Sequence, residues 1–172
     1  IDDGDKPCEF TFSVDTSVDV AAPAYTAAVA NGTVSCTNVD NNDAAINITG
    51  ADSCFTYEAQ EGVVTHQVGV FLNSRPEPGA VVNLTISTSD DGECLPEPSS
   101  LLFNDTNWND SQTVGFKSVN DHVDDGDKPC EFTFSVDTSV DDAAPAYTAA
   151  VANGTVSCTN VDNNDAAINI TG

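Results

Sequence analysis

Carboxylate side chains supply the main chemistry that this sequence offers. Its 172 residues include 28 Asp and Glu against 4 Lys and Arg, which gives a formal net charge of −24. Many of the acidic residues lie in loops, and Ca²⁺ takes about six to eight oxygen ligands from flexible loops of this kind. No EF-hand spacing is present, and a metal-free acidic surface is the alternative interpretation. The candidate calcium ligands are Glu61, Asp90, Asp91, Asp121, Asp124, Asp125, Asp127, Asp162 and Asp165.

The strong negative charge argues against several classes of partner and activity. It repels nucleic-acid phosphates and anionic membranes, and no apolar run reaches the roughly 18 residues of a membrane span. We therefore expect neither nucleic-acid binding nor membrane insertion. His66 and His122 are the only histidines, and the sequence contains no recognised nucleophile or metalloprotease motif. We expect that the protein is not an enzyme.

The cysteines and glycosylation sequons indicate an oxidising, extracellular environment, secreted or at the cell surface. Six cysteines without a CxxC spacing favour disulfides over zinc. Because residues 1–43 contain both Cys8 and Cys36, we predict the disulfides Cys8–Cys36, Cys130–Cys158 and Cys54–Cys94. N-linked glycans are expected because seven sequons have no proline in the middle position. The sequon asparagines are Asn31, Asn47, Asn83, Asn104, Asn109, Asn153 and Asn169.

A long internal repeat organises the chain. Residues 2–50 recur as residues 124–172 with one change, Val20 against Asp142, at an offset of 122 residues. A period of this length suits one small domain per repeat rather than a solenoid turn. The sequence therefore predicts a tandem array.

Alternating apolar residues predict short β-strands throughout the repeat. Phe10, Phe12 and Val14 share one strand face, and Val82, Leu84 and Ile86 share another. The same alternation places Asn47 and Asn83 on the outward faces of their strands. Short strands without a helical period predict an all-β, antiparallel β-sandwich. The predicted strands are 8–14, 25–39, 45–49, 53–58, 63–72, 81–87, 101–103 and 113–119.

The motifs of the repeat resemble those of Calx-β-like, immunoglobulin-like tandem repeats of large secreted and cell-surface proteins. The resemblance rests on Glu61-Gly62, Val70 to Pro76, Leu102 to Val114, Asp121 to Asp127 and Thr159 to Asp165. It implies an immunoglobulin-like sandwich with its calcium ligands in loops at one end.

The resemblance also sets the expected domain boundaries. Residues 44–165 would form one complete repeat, residues 1–43 the C-terminal part of a preceding repeat, and residues 166–172 the first strand of the following one. Strands from a neighbouring repeat or another subunit would then have to cover the N-terminal piece, because two or three strands cannot bury Phe10 and Phe12 alone.

Two functions fit these observations. The first is a structural domain of a glycosylated extracellular filament, whose partners are copies of itself joined head to tail. The alternative is a calcium-dependent adhesin or carbohydrate-binding repeat of a cell-surface protein, with Trp108 as the candidate for stacking on a sugar. The near-perfect repeat favours the filament. Because no Gly/Ser linker separates Asp162–Asp165 from the strand after it, we also expect a stiff junction, and calcium bound there would stiffen it further.

Overall fold

A computed structural model describes residues 1–13, 32–140, 142–148, 153–164, 166 and 168. These residues belong to two compact units. The smaller unit comprises Asp3–Asn41, and the larger unit comprises Ile1–Asp2 together with Asn42–Gly172. The predicted strand residues Val14 and 25–31 lie outside the described part of the chain.

The smaller unit contains an antiparallel β-hairpin. Strand β1 spans Lys6–Phe12 and strand β2 spans Gly32–Asn38. Their register pairs Cys8 with Cys36 and Phe10 with Val34. The hairpin forms where alternating apolar residues predict strands, but its apolar side chains are exposed.

The larger unit is a β-sandwich whose strands are short, with turns between them. In chain order, its strands are β3 Ile46–Thr49, β4 Cys54–Tyr57, β5 Val64–Leu72, β6 Val81–Thr88, β7 Cys94–Glu97, β8 Ser100–Asn104, β9 Gln112–Ser118, β10 Lys128–Val136 and β11 Gly154–Val161. A 3-10 turn at Glu58–Gln60 follows β4, and helix α1 spans Pro145–Thr148.

These strands form two sheets with an apolar core between them. One sheet has the order β4-β11-β10-β6-β8 and the other the order β3-β5-β9-β7. All pairings among the described strands are antiparallel except the one between β4 and β11. Phe116 of β9 and Phe132 of β10 stack across the core with ring centroids 3.9 Å apart. The all-β sandwich expected from the alternating pattern is confirmed.

Two elements of the sandwich were not predicted. Strand β7 begins at Cys94, where the sequence suggested only a loop, and contains Pro96. Its place at the edge of its sheet accommodates a residue without a backbone N–H. Helix α1 falls in a segment rich in Ala, Asp and Pro, and its Tyr147 is buried. The Tyr147 hydroxyl donates a hydrogen bond to the backbone oxygen of Ser74 at 2.6 Å, so a tertiary contact anchors this single turn.

The structure corrects two of the three predicted disulfides. Cys8–Cys36 is present, but Cys54 bonds to Cys158 and Cys94 bonds to Cys130. Cys130 and Cys158 lie opposite each other in the β10–β11 pair and are buried, and each meets a cysteine from another strand there. Cys54 is the parallel neighbour of Cys158, whereas Cys94–Cys130 links the two sheets.

No helix among the described residues has the length and apolar character needed to cross a bilayer.

Candidate functional site

One end of the larger unit gathers acidic side chains from two loops. Glu93 precedes β7, whereas Asp121 and Asp125 lie between β9 and β10. One carboxylate oxygen from each of these three residues lies within 4.8 Å of the others. We call these three residues the acidic cluster. Oxygen ligands at this spacing suit a hard cation such as Ca²⁺.

A buried hydrogen-bond network positions Glu93. Its carboxylate accepts a hydrogen bond from the Asn160 side-chain amide at 2.9 Å. The Asn160 side-chain oxygen in turn accepts from the Thr56 hydroxyl at 2.9 Å. All three residues are buried, so strands β4 and β11 hold the Glu93 carboxylate in place. Glu93 was not among the predicted ligands, although it directly precedes a cysteine in the acidic stretch 90–93.

Glu58 adds a further buried carboxylate to the larger unit. Burial raises its pKa, and the negative charges of Asp162, Glu93 and Asp121 raise it further, whereas the backbone amide of Asn163 opposes the rise. Glu58 was also absent from the predicted ligands.

Lys128 supplies a positive charge to the acidic cluster. Its ammonium lies 3.0 Å from a carboxylate oxygen of Asp125. The hydrogen bond to Asp125 raises the pKa of Lys128, as do the negative charges of Asp125, Glu93 and Asp121. A bound cation would therefore compete with Lys128 for Asp125.

Among the predicted ligands in the described part of the chain, only Asp121 and Asp125 belong to this cluster. Several of the others accept backbone hydrogen bonds instead. Asp124 accepts from Ala166, Asp127 from Asp162, and Asp162 from Gly126, at 2.8–3.1 Å. Asp90 similarly accepts from the amide of Gly92, at 3.0 Å. Glu61 and Asp91 are exposed outside the cluster, and Asp165 lies outside the described residues.

These backbone contacts have a direct electrostatic effect on Asp162. Hydrogen bonds donated by the amides of Asn164 and Gly126 lower the pKa of Asp162. These hydrogen bonds tie the Asp162 carboxylate to the loops around it.

The sequon asparagines differ in exposure. Asn109 and Asn153 are exposed, whereas Asn83 and Asn104 are partly buried. Asn31 and Asn169 lie outside the described residues. The structure corrects the outward placement of Asn47, because its side-chain nitrogen is buried and has no hydrogen-bond partner. Strand β3 is half-buried at Ile46, Asn47 and Ile48 alike, so alternation does not separate an inner from an outer face there.

Two of the remaining candidate side chains, Trp108 and His66, pack within the sandwich. Trp108 is half-buried and packs against the core. The ring of His66 stacks in parallel with Phe116, with centroids 6.2 Å apart, and one ring nitrogen lies 2.8 Å from the backbone oxygen of Gly50. His122 is exposed in the loop before β10.

Comparison with known proteins gives a resemblance of fold only. No protein-family model and no curated protein matches the chain. Among solved structures, the chain is similar to the periplasmic chaperone SfaE, with 10% identity, a TM-score of 0.46 and coverage of 69% of this chain. It is also similar to the E. coli chaperone DraB, with 4% identity, a TM-score of 0.44 and the same coverage of this chain. The chain spans 57% and 55% of the lengths of these two chaperone chains.

A second group of similar structures contains MSP-domain proteins. SSP-19 from Caenorhabditis elegans is 17% identical, with a TM-score of 0.37, and the match covers 66% of this chain and 95% of that one. The three disulfides indicate an oxidising compartment outside the cytoplasm.

Proposed function

We propose that this chain is a structural tandem-repeat domain of a glycosylated extracellular filament assembled head to tail. The observation that carries the proposal is one hairpin sequence in two environments. Phe132 and Phe134 of β10 are 0% exposed, whereas Phe10 and Phe12 of β1 are 60% and 63% exposed. Val156 and Val34 differ in the same way. An exposed apolar surface of this kind is typical of an interaction site.

The covered hairpin shows what would cover the exposed one. In the larger unit, β10 pairs with β6 and β11 pairs with β4. The apolar face of β10–β11 packs in a core with residues of β5, β6 and β9. A second copy of strands β3–β9 would give the β1–β2 hairpin the same neighbours.

The larger unit cannot offer its own strands, because they already hold β10 and β11. A further copy of strands β3–β9 is therefore required, and a preceding repeat of a longer chain would provide it directly. Repetition of this join gives head-to-tail growth that does not close on itself.

We further propose that the acidic cluster binds Ca²⁺ weakly, in the manner that a Calx-β-like repeat would. The three close carboxylate oxygens favour this assignment, and the Lys128–Asp125 contact limits its strength. We expect a dissociation constant on the order of 10⁻⁴ to 10⁻³ M, as in extracellular calcium modules. Calorimetric titration of wild type and Asp121→Asn tests this, with Asp124→Asn as the control outside the cluster. Equal heats from wild type and Asp121→Asn would remove the site.

Glycans complete the proposal, with Asn109 and Asn153 as the best-exposed acceptors in the described chain. N-linked glycosylation is expected in a secreted protein, and glycans on every repeat would shield the filament from proteases. Intact-mass analysis before and after enzymatic deglycosylation should show a large decrease. An unchanged mass in protein from its natural source would exclude glycans.

Electron microscopy of protein from its natural source tests the filament directly. We expect unbranched filaments with an axial repeat equal to the length of one sandwich. A recombinant chain of several 122-residue repeats should form the same rod. A matched chain with a flexible Gly/Ser insertion after each Asn164 should keep its folded domains but no longer form a straight rod. Separate globular particles in the first two samples would overturn the proposal.

A further inference from the structure

The cysteines of the two hairpins have identical positions but different partners. Cys8 faces Cys36 across β1–β2, and Cys130 faces Cys158 across β10–β11, in the same register. Nevertheless, Cys8 bonds to Cys36, whereas Cys130 and Cys158 bond to Cys94 and Cys54. The sequence of the hairpin therefore does not determine the pairing.

What differs between the hairpins is the presence of strands β4 and β7. Strand β4 carries Cys54 beside β11, with 4.5 Å between the Cα atoms of Cys54 and Cys158. Strand β7 carries Cys94 in the opposite sheet, with 6.5 Å between the Cα atoms of Cys94 and Cys130. Both distances lie within the range of ordinary disulfides.

We propose that the exposed hairpin is an acceptor for two disulfides from another copy of strands β3–β9, in place of the bond between Cys8 and Cys36. Cys36 would bond to the Cys54 of that copy, and Cys8 would bond to its Cys94. This inference rests on the proposed head-to-tail assembly and adds covalent bonds to it. Each domain would then have two disulfides that join its hairpin to strands β4 and β7.

The chemistry of the rearrangement balances without an added oxidant. A further copy of strands β3–β9 that has no hairpin docked would hold its two cysteines as a Cys54–Cys94 disulfide. That bond and Cys8–Cys36 contain the same four sulfur atoms as the pairs Cys8–Cys94 and Cys36–Cys54. Conversion of one set into the other breaks two S–S bonds and forms two, with no net gain or loss of electrons or protons. A catalytic amount of a small thiol, as its thiolate, starts the exchange and is released at the end.

The residues around the cysteines favour the exchanged state. Docking would cover Phe10, Phe12 and Val34, whose counterparts in the larger unit are all 1% exposed or less. Burial of these apolar side chains would drive association. The covalent bonds would form only where the strands have already brought the sulfur atoms together.

The test compares the 172-residue chain with a longer chain in which an added copy of residues 44–123 precedes Asp2. Substitution Cys36→Ser leaves one unpaired thiol in each chain, which is alkylated and located by peptide sequencing. We expect the label in the 172-residue chain at Cys8, in the sequence PCEF. In the longer chain we expect it at a Cys54-type position, in SCFTYE. A label in PCEF in both chains would overturn the inference.

A second substitution covers the case in which Cys36→Ser fails to fold. Cys8→Ser should release a thiol in the sequence GECLPE of the longer chain and in SCTN of the 172-residue chain. Labels in SCTN in both chains would again contradict the proposal. A protease other than trypsin is needed, because Lys6, Arg75 and Lys128 all precede proline.

The result is independent of filament imaging. If the exchanged disulfides form but no filaments are seen, the inference about the disulfides stands and the proposed filament is wrong. Filaments that retain Cys8–Cys36 would overturn the inference about the disulfides alone.

Discussion

The two hairpins of this chain separate what local sequence determines from what the surrounding strands determine. Both hairpins have the same register. In both, an aspartate after the second strand accepts a hydrogen bond from a glycine in the loop before the first strand. Gly4 donates to Asp40 at 2.8 Å, and Gly126 donates to Asp162 at 2.9 Å. Burial and disulfide partners differ completely. The hairpin's own sequence therefore sets its strand pairing, whereas the neighbouring strands of the sandwich bury its apolar side chains.

The two hairpins should differ most in how much the removal of a disulfide lowers the stability of the larger unit. Double substitution of Cys54 and Cys158 by Ala opens a loop with a sequence separation of 104 residues. Chain entropy gives a loss of about 4.7 kcal/mol for a loop of this size. The matched substitution of Cys8 and Cys36 should leave unfolding of the larger unit unchanged. Urea unfolding followed by Trp108 fluorescence measures both, and equal losses would contradict the division into two environments.

A similar contrast is expected from the aromatic residues. Phe132→Ala removes a buried ring stacked on Phe116 and should cost about 3–5 kcal/mol. Phe10→Ala, its exposed counterpart, should change the unfolding free energy of the 172-residue chain by less than about 0.5 kcal/mol. In a chain with an added preceding copy of residues 44–123, Phe10→Ala should become as costly as Phe132→Ala. A loss that stays small there would show that the exposed face remains uncovered.

The core face and the sandwich could be predicted from the sequence, because the alternation of Phe132 and Phe134 is a local pattern. The disulfide partners could not be predicted, because the partners of Cys130 and Cys158 depend on which strands lie beside the hairpin. The acidic cluster was only partly predicted. Exposed aspartates such as Asp121 stand out in a sequence, whereas Glu93 becomes part of the site through its buried contact with Asn160.

Glycine gives a smaller test of the same contrast. A methyl group added at Gly154 would approach the Cδ1 atom of Ile48 to 2.5 Å, whereas one added at Gly32, its counterpart, meets nothing within 4 Å. Because a side-chain end can shift, Gly154→Ala should cost only about 1 kcal/mol. Gly32→Ala should be neutral in the 172-residue chain. Thermal unfolding compares the two, and equal shifts would mean that β3 does not cover the hairpin.

The smallest effect is expected from the ionisation of two carboxylates in the larger unit. The pKa of Glu58 is raised above 4.5 by burial, so between 4.5 and that higher value the folded state binds more protons than the unfolded state. Stability from this group is therefore lost as the pH rises through that window. The pKa of Asp162 is lowered below 3.8 by backbone hydrogen bonds. Its contribution has the opposite sign and is lost as the pH falls through the acid range.

Two substitutions separate these effects. Glu58→Gln removes the buried charge and keeps an oxygen acceptor, so it should flatten the decline in stability above pH 4.5 and leave the acid side unchanged. Asp162→Asn should flatten the acid side alone. The smaller unit contains Asp40, the counterpart of Asp162, but its only glutamate is the exposed Glu9. Urea unfolding at a series of pH values measures both slopes. If Glu58→Gln leaves the slope above pH 4.5 as steep as in wild type, the pH dependence has another source, and burial of this carboxylate does not distinguish the two hairpin environments.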